Sequence, residues 1–392
     1  MTFQISNFLS ASAAALLLGC TSLGAAHAYE PTGNAIADAF LELLEAEEGT
    51  IESYGSVEGS DRSATIEDIR LVQDEGEQVT VTLQKTELSE AQKLANGRLQ
   101  VGAFSIEGLT LDGDDGSLAI ERFSANDLIL PSPEEASSKH ENGPIAPSYR
   151  DLEILNTEVS DETGNAARVE RIFVAIDAMD GDLPTASRFA LENVVIDADA
   201  VDSETRKSLS DLGYESVTLS ITGAANWDPT AETAVVDDVR ISGPEIGTLQ
   251  MSLRLGGLSR SVIAELNKNQ DDPESALALL QGVTVEAISI RLDNDSLVER
   301  VLDMQAKEAG TDRAGIVAQI EGGLPFMLAI LQNPEFQTKV STSLTSFLRD
   351  PKSLSIAASP ASPVPVAQIM GTVMLAPQTL PQVLGIAISA ND

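Results

Sequence analysis

Carboxylates are abundant enough in this chain to build a reactive or ligand-holding centre. Among 392 residues there are 61 Asp and Glu against 24 Lys and Arg and two His. Three clusters stand out: Asp112-Gly113-Asp114-Asp115-Gly116, Asp177-Ala178-Met179-Asp180-Gly181-Asp182 and Asp293-Asn294-Asp295. Closely spaced carboxylate oxygens suit calcium, which makes Asp112, Asp114, Asp180 and Asp182 the calcium candidates. None completes a twelve-residue EF-hand loop, because Phe123 occupies the bidentate position counted from Asp112. Asp and Gly between strands also form turns without any metal. Paired carboxylates across a cleft would serve glycoside hydrolysis. Sugar-binding clefts use aromatic walls, however, and aromatic residues are only 4%, with Trp227 alone in the turn Asn226-Trp227-Asp228-Pro229.

Other chemistries lack their residues. His140 is the only histidine after residue 28 and sits in the polar run Ser137-Ser138-Lys139-His140-Glu141-Asn142, which reads as a solvated loop. No G-x-S-x-G elbow, S-x-x-K pair, H-E-x-x-H, P-loop or G-x-G-x-x-G occurs. Zinc lacks ligands. The residues therefore call for no cofactor and no enzyme. The net charge of −37 excludes a nucleic-acid or anionic-membrane binder acting through bulk charge, since phosphate affinity depends on Lys and Arg displacing counterions. With 43% hydrophobic residues the chain still has enough apolar surface to build a core.

Residues 1–28 contain no charged side chain, and Ala11 to Gly19 is an apolar block of signal-peptide size, too short to span a bilayer. Ala26-His27-Ala28 offers small residues at both positions a signal peptidase reads, which predicts cleavage before Tyr29. Leu17-Leu18-Gly19-Cys20 looks like a lipobox, which would acylate Cys20 instead. The n-region departs from either signal in having no Lys or Arg. Cleavage after Ala28 leaves no cysteine, so the exported chain must rest on its hydrophobic core. A periplasmic or extracellular location follows, with an outer-membrane lipoprotein as the alternative.

The elements that must position any site fall in order. Residues 29–49 hold an acidic amphipathic helix with Ile36, Phe40, Leu43 and Leu44 on one side. Residues 50–257 alternate apolar and polar residues between Gly, Asp and Asn, the period of antiparallel strands, with an exposed loop at 131–148. A hexapeptide of apolar, acidic, any, apolar, any and apolar residues recurs from Ile66, Ile106, Val169, Leu191, Val236 and Val285, with a looser copy from Ile120. Its apolar positions break alternation once, which predicts a kink that shifts the strand's phase while the inner face stays apolar. Residues 258–352 read as helix-rich with a strand at 283–292. Residues 353–391 contain no charge and are broken by five prolines, so the chain returns to the sheet in short pieces at 353–392. Packing against the sheet is the first reading of this segment. The second is contact with something apolar through Ile356, Val366, Ile369, Met370, Val373, Leu375, Ile386 and Ile388. The fold class is α+β: a mostly antiparallel, extended or curved sheet with a helical C-terminal third.

The recurring hexapeptide, and phrases such as Ser216-Val217-Thr218-Leu219-Ser220-Ile221-Thr222-Gly223 followed by Val235 to Ile241, resemble the β-rich repeats of AsmA-like and TamB-like envelope proteins over residues 50–292. That resemblance implies a long curved antiparallel sheet whose apolar inner face shields lipid chains. The chain departs from the family in its shorter length, its helical C-terminal third and the lack of an N-terminal membrane anchor. It also looks like uncharacterised secreted proteins of acidic Gram-negative proteomes. The expected function is an exported, non-enzymatic envelope protein binding lipid or another apolar ligand. The alternatives are a structural or interaction protein of the envelope, partnered by another envelope protein, and a carboxylate-based hydrolase. Oligomeric state has no signature here.

Overall fold

The alternation of apolar and polar residues folds as antiparallel strands. The computed structural model describes residues 29–46, 49–74, 78–136, 147–162, 165–268, 278–329 and 332–392. Residues 1–28, with Cys20, Ala26 and Ala28, and residue His140 lie outside them. Strand outweighs helix, 49% to 30%, so mostly antiparallel sheet is the architecture. The chain divides into two compact units, Met1–Ala175 with Asn193–Glu204, and Ile176–Glu192 with Thr205–Asp392.

The first unit opens with α1 (Ala35–Ala46). Asn34 caps it, its Oδ1 accepting from the backbone N–H of Ile36 (2.9 Å) and Ala37 (3.1 Å). Strands β1 (Thr50–Ser53), β2 (Val57–Ser60), β3 (Ser63–Asp74), β4 (Gln78–Ser89), β5 (Gln92–Lys93), β6 (Leu99–Gly113) and β7 (Gly116–Leu130) follow. After α2 (Pro133–Ala136) come β8 (Asp151–Asp161) and β9 (Ala166–Asp180), the latter running across the unit boundary. The ladder β3–β4–β6–β7–β8–β9 is antiparallel throughout. Asp114 and Asp115 form the two-residue turn of the β6–β7 hairpin, between the paired Gly113 and Gly116. The stretch expected as an exposed loop at 131–148 begins differently. Ser132 is buried and caps α2: Glu135 N–H donates to its Oγ (3.2 Å), while Ser132 N–H donates to Glu135 Oε2 (3.0 Å).

The hexapeptide's kink is present, and it lines up across strands. Asp68, Gly108, Asn156 and Asn193 all have left-handed backbone, with φ between 51° and 63°. The first two are the third residue of their hexapeptide, as is Asn193. Ladder pairing skips Asp68, Gln84, Gly108, Glu121, Asn156 and Glu170 in turn, so they form one row across six strands. Asp, Asn and Gly tolerate this conformation; β-branched residues do not. At Gly108 a Cβ would lie 2.3 Å from Gln84 Oε1. The row lets each strand place apolar residues three apart on one face. Ile66, Thr86, Ile106, Phe123 and Ile154 make one register line, and Ile69, Leu83, Leu109, Ile120, Thr157 and Val169 the next. Helix α1 covers this face, with Phe40 against Phe104 (5.6 Å between ring centres) and Phe104 against Phe123. The result is one continuous core from Ile36 to Ile154.

Strand β10 (Leu183–Asp197) and α3 (Ser203–Asp211) also run across the unit boundary, since Asn193–Glu204 belongs to the first unit; the second unit then takes the chain through β11 (Ser216–Asp228), β12 (Thr233–Gly243), β13 (Gly247–Gly256), α4 (Arg260–Lys268) and β14 (Thr284–Asn294). Then α5 (Leu297–Ala309), α6 (Arg313–Leu328) and α7 (Pro334–Arg349) pack in sequence. The chain re-enters the sheet as β15 (Ser353–Ala358) and β16 (Val364–Pro365), forms α8 (Val366–Leu375) and α9 (Leu380–Val383), and ends in β17 (Ile386–Ala390). The helical third is therefore helix interleaved with strand. β14 pairs with both β15 and β16, and β15 pairs with β17. Trp227, expected in a turn, lies near the end of β11. It is buried with Leu183, Leu258 and Val283, and its Nε1–H donates to the Leu258 carbonyl (2.8 Å).

Candidate functional site

Strands β11 to β15 and β17 repeat the apolar register lines of the first unit. Val239 faces Met251, which faces Ile290, then Ile356, then Ile388. Beside this line run Ile221, Ile241, Leu249, Leu292 and Leu354, and on its other side Val236, Leu253, Ile288, Ala358 and Ile386. The kinks are not aligned here. Val236 and Val239 are three apart on β12 while their β13 partners Leu253 and Met251 are two apart, which is a bulge at Asp237–Asp238. Glu286 makes a second shift between β13 and β14.

The face is apolar but incompletely covered. Helix α4 packs over its end at Trp227, Ala234 and Leu255, and α8 and α9 over Ile288, Ala358 and Ile386. The middle lines are half-buried, and Ile290 and Ile356 are 39% and 42% exposed. Helix α8 goes further: none of its ten residues is buried although six are Val, Ile, Met or Leu. Met370, Val373, Met374 and Leu375 point outward, the last two more than four-fifths exposed. Phe326 and Met327, at the end of α6, form another exposed apolar tip. Among the described residues, every exposed large apolar side chain belongs to the second unit.

The eight apolar residues singled out from the sequence therefore divide. Ile356 and Ile388 adjoin on the half-covered sheet, and Met370, Val373 and Leu375 are solvent-facing on α8. Val366, Ile369 and Ile386 pack inward against α4 and the sheet. The uncharged segment is thus both packed and exposed, where packing was the first expectation. Sequence reading missed the sheet residues Val239, Met251 and Ile290, which carry the exposed line from strands before the uncharged segment. Their alternation was visible, but nothing local says whether a helix covers them.

Some of the carboxylates, two of the calcium candidates included, are drawn into ion pairs. Asp180 and Asp182 both accept from the Arg260 guanidinium, which stands where a cation shared by the two would sit. Asp112 lies at the strand end and Asp114 in the hairpin turn. Among the described residues no three acidic, His or Cys side chains are grouped to hold a metal. Among the described residues, the carboxyls whose pKa is displaced, Glu87, Glu135, Asp177, Asp303, Glu321 and Glu335, are all displaced downward, each chiefly by a hydrogen bond from Lys or Arg. A general acid for glycoside cleavage needs the opposite displacement. A shallow pocket of about 340 Å³ opens beside Trp227, lined by Thr185, Asn226, Asp228, Pro229, Thr233 and Val235. With its indole buried, Trp227 offers no open ring as a sugar platform.

Fold and site thus define an antiparallel β protein with a closed core in one unit and a partly open apolar sheet face in the other. Residues 240–391 match a protein-family model described as an uncharacterized protein. That match begins within β12 and takes in Met251, Ile290, Ile356, Ile388 and all of α8. No curated protein matches the chain.

Proposed function

We propose that this is an exported, non-enzymatic envelope protein whose second unit holds an acyl chain or similar apolar ligand along a curved sheet face. The observation that carries the proposal is the line Val239, Met251, Ile290, Ile356 and Ile388, apolar across five strands yet incompletely covered. Four strand spacings of about 4.8 Å make that line roughly 19 Å long. Half the hydrocarbon core of a bilayer, the reach of one acyl chain, is about 15 Å. Soluble proteins seldom leave so continuous an apolar strip to water without a use for it. The resemblance to AsmA-like and TamB-like repeats supports the same ligand class.

Native mass spectrometry of protein purified from its own host tests the reading. Bound lipid is expected on the parent chain and lost on Ile290→Glu and Ile356→Glu. A clean apo mass, with no uptake of a fluorescent fatty acid, overturns it. The mass of the same protein separates cleavage after Ala28 from acylation at Cys20.

A further inference from the structure

The four outward side chains of α8 lie within 39 consecutive residues, 353–391, that carry no charge, in a chain whose net charge is −37. That contrast decides what can cover them. A second copy would bring an equally acidic body alongside the first, and an anionic surface would be repelled in the same way. A surface with no net charge and an apolar interior meets neither penalty. At ten residues α8 is about 15 Å long, half a bilayer core, so it would lie at the interface and not span.

We infer that the outward face of α8, formed by Met370, Val373, Met374 and Leu375, docks shallowly on a zwitterionic lipid surface. Inward-facing Val366 and Ile369 hold the helix on the second unit while the outward four enter the boundary between headgroups and acyl chains. The absence of charge in the segment means that no ionic group is desolvated on entry. This docking does not depend on a ligand lying along the sheet face.

The test uses the full-length chain carrying Cys20→Ser and Met374→Cys, which leaves one thiol for an environment-sensitive fluorophore. With vesicles of phosphatidylcholine alone, emission shifts to the blue. In flotation, an unlabelled Met374→Asp, Leu375→Asp double variant partitions at least about tenfold more weakly than its parent. Both positions are more than 80% exposed, so the double variant folds and unfolds thermally as the parent does. Replacing half of the lipid with phosphatidylglycerol weakens binding, and added salt restores it. Unchanged emission with phosphatidylcholine, equal flotation of the double variant, or binding that strengthens with phosphatidylglycerol overturns the inference. So does a blue shift that appears on raising protein concentration without vesicles, which would mean that a second copy covers α8. Retention of bound lipid in native mass spectra of the double variant keeps this result separate from the sheet-face ligand.

Discussion

The two units are built from the same strand sentence and finish it differently. In the first, six strands slip phase in one row, the apolar lines stay in register, and α1 covers them so that Ile66, Ile69 and Val101 are fully buried. In the second, the slips fall at separate positions on β12 and β14; α4, α8 and α9 pack over the ends of the face, and α7, which lies against β15 and β17, leaves Ile290 and Ile356 partly exposed. The lesson is that an apolar strand pattern determines which face is inner, while a covering helix determines whether that face is a core or a surface.

The sharpest way to break this contrast is to truncate matched residues. Phe40→Ala removes the ring that α1 lays on Phe104 and should cost about 3–5 kcal/mol in chemical denaturation. A loss below about 1 kcal/mol would show that the first unit is no better covered than the second. Next in size is Gly108→Ala, expected to cost about 2 kcal/mol, since the left-handed backbone and the contact with Gln84 both resist a Cβ. If alanine is tolerated there, the aligned row of slips is not a constraint.

Glu135→Gln should cost about 1 kcal/mol at neutral pH. Hydrogen bonds from Arg98, and then from Ser132 N–H, hold the Glu135 carboxyl down to about 2. A depressed folded pKa stabilises fully above the unfolded value of about 4.3 and loses its contribution as pH falls toward 2. Parent and variant stabilities should therefore converge at the acid end of that window; a gap that persists unchanged at pH 2 refutes the assignment.

Thr86 is fully buried in an apolar line with its hydroxyl unpaired, so Thr86→Val is expected to raise stability by about 1 kcal/mol. Destabilisation would reveal a partner for the hydroxyl. The smallest effect is expected at Ile356→Ala, about 0.5 kcal/mol, because a residue 42% exposed gives up little burial. A core-sized loss at Ile356 would erase the difference between the units.

Much of this was legible. The hexapeptide and its looser copy located seven of the seventeen strands found among the described residues, and its broken alternation announced the kink. Third-position Asp68, Gly108, Asn193 and Asp238 could have identified the left-handed residue, because these types share tolerance of that backbone. Asn156 escaped because Leu155 replaces the acidic residue before it and Thr157 the apolar residue after it. The eight apolar candidates included Leu375, the most exposed residue of α8, but left out Met374 and took in three that pack inward, since helical phase relative to the sheet is a tertiary fact. The early helix and the absence of charge at 353–391 were plain. What local sequence withheld was cover: nothing near Ile290 records that α4 and α8 stop short of it.

The pairing order of the second unit also sets a sequence of events in synthesis. In the first unit β3–β4, β6–β7 and β8–β9 are each adjacent in the chain, so pairing can follow closely as the chain lengthens. β14 must wait for β15 and β16, on the far side of three helices, and β15 waits for β17, beyond two further helices. The apolar face is thus assembled only when its final strand emerges. A chain truncated before Ile386 would present β15 as an open edge with Ile356 beside it, a ready template for aggregation.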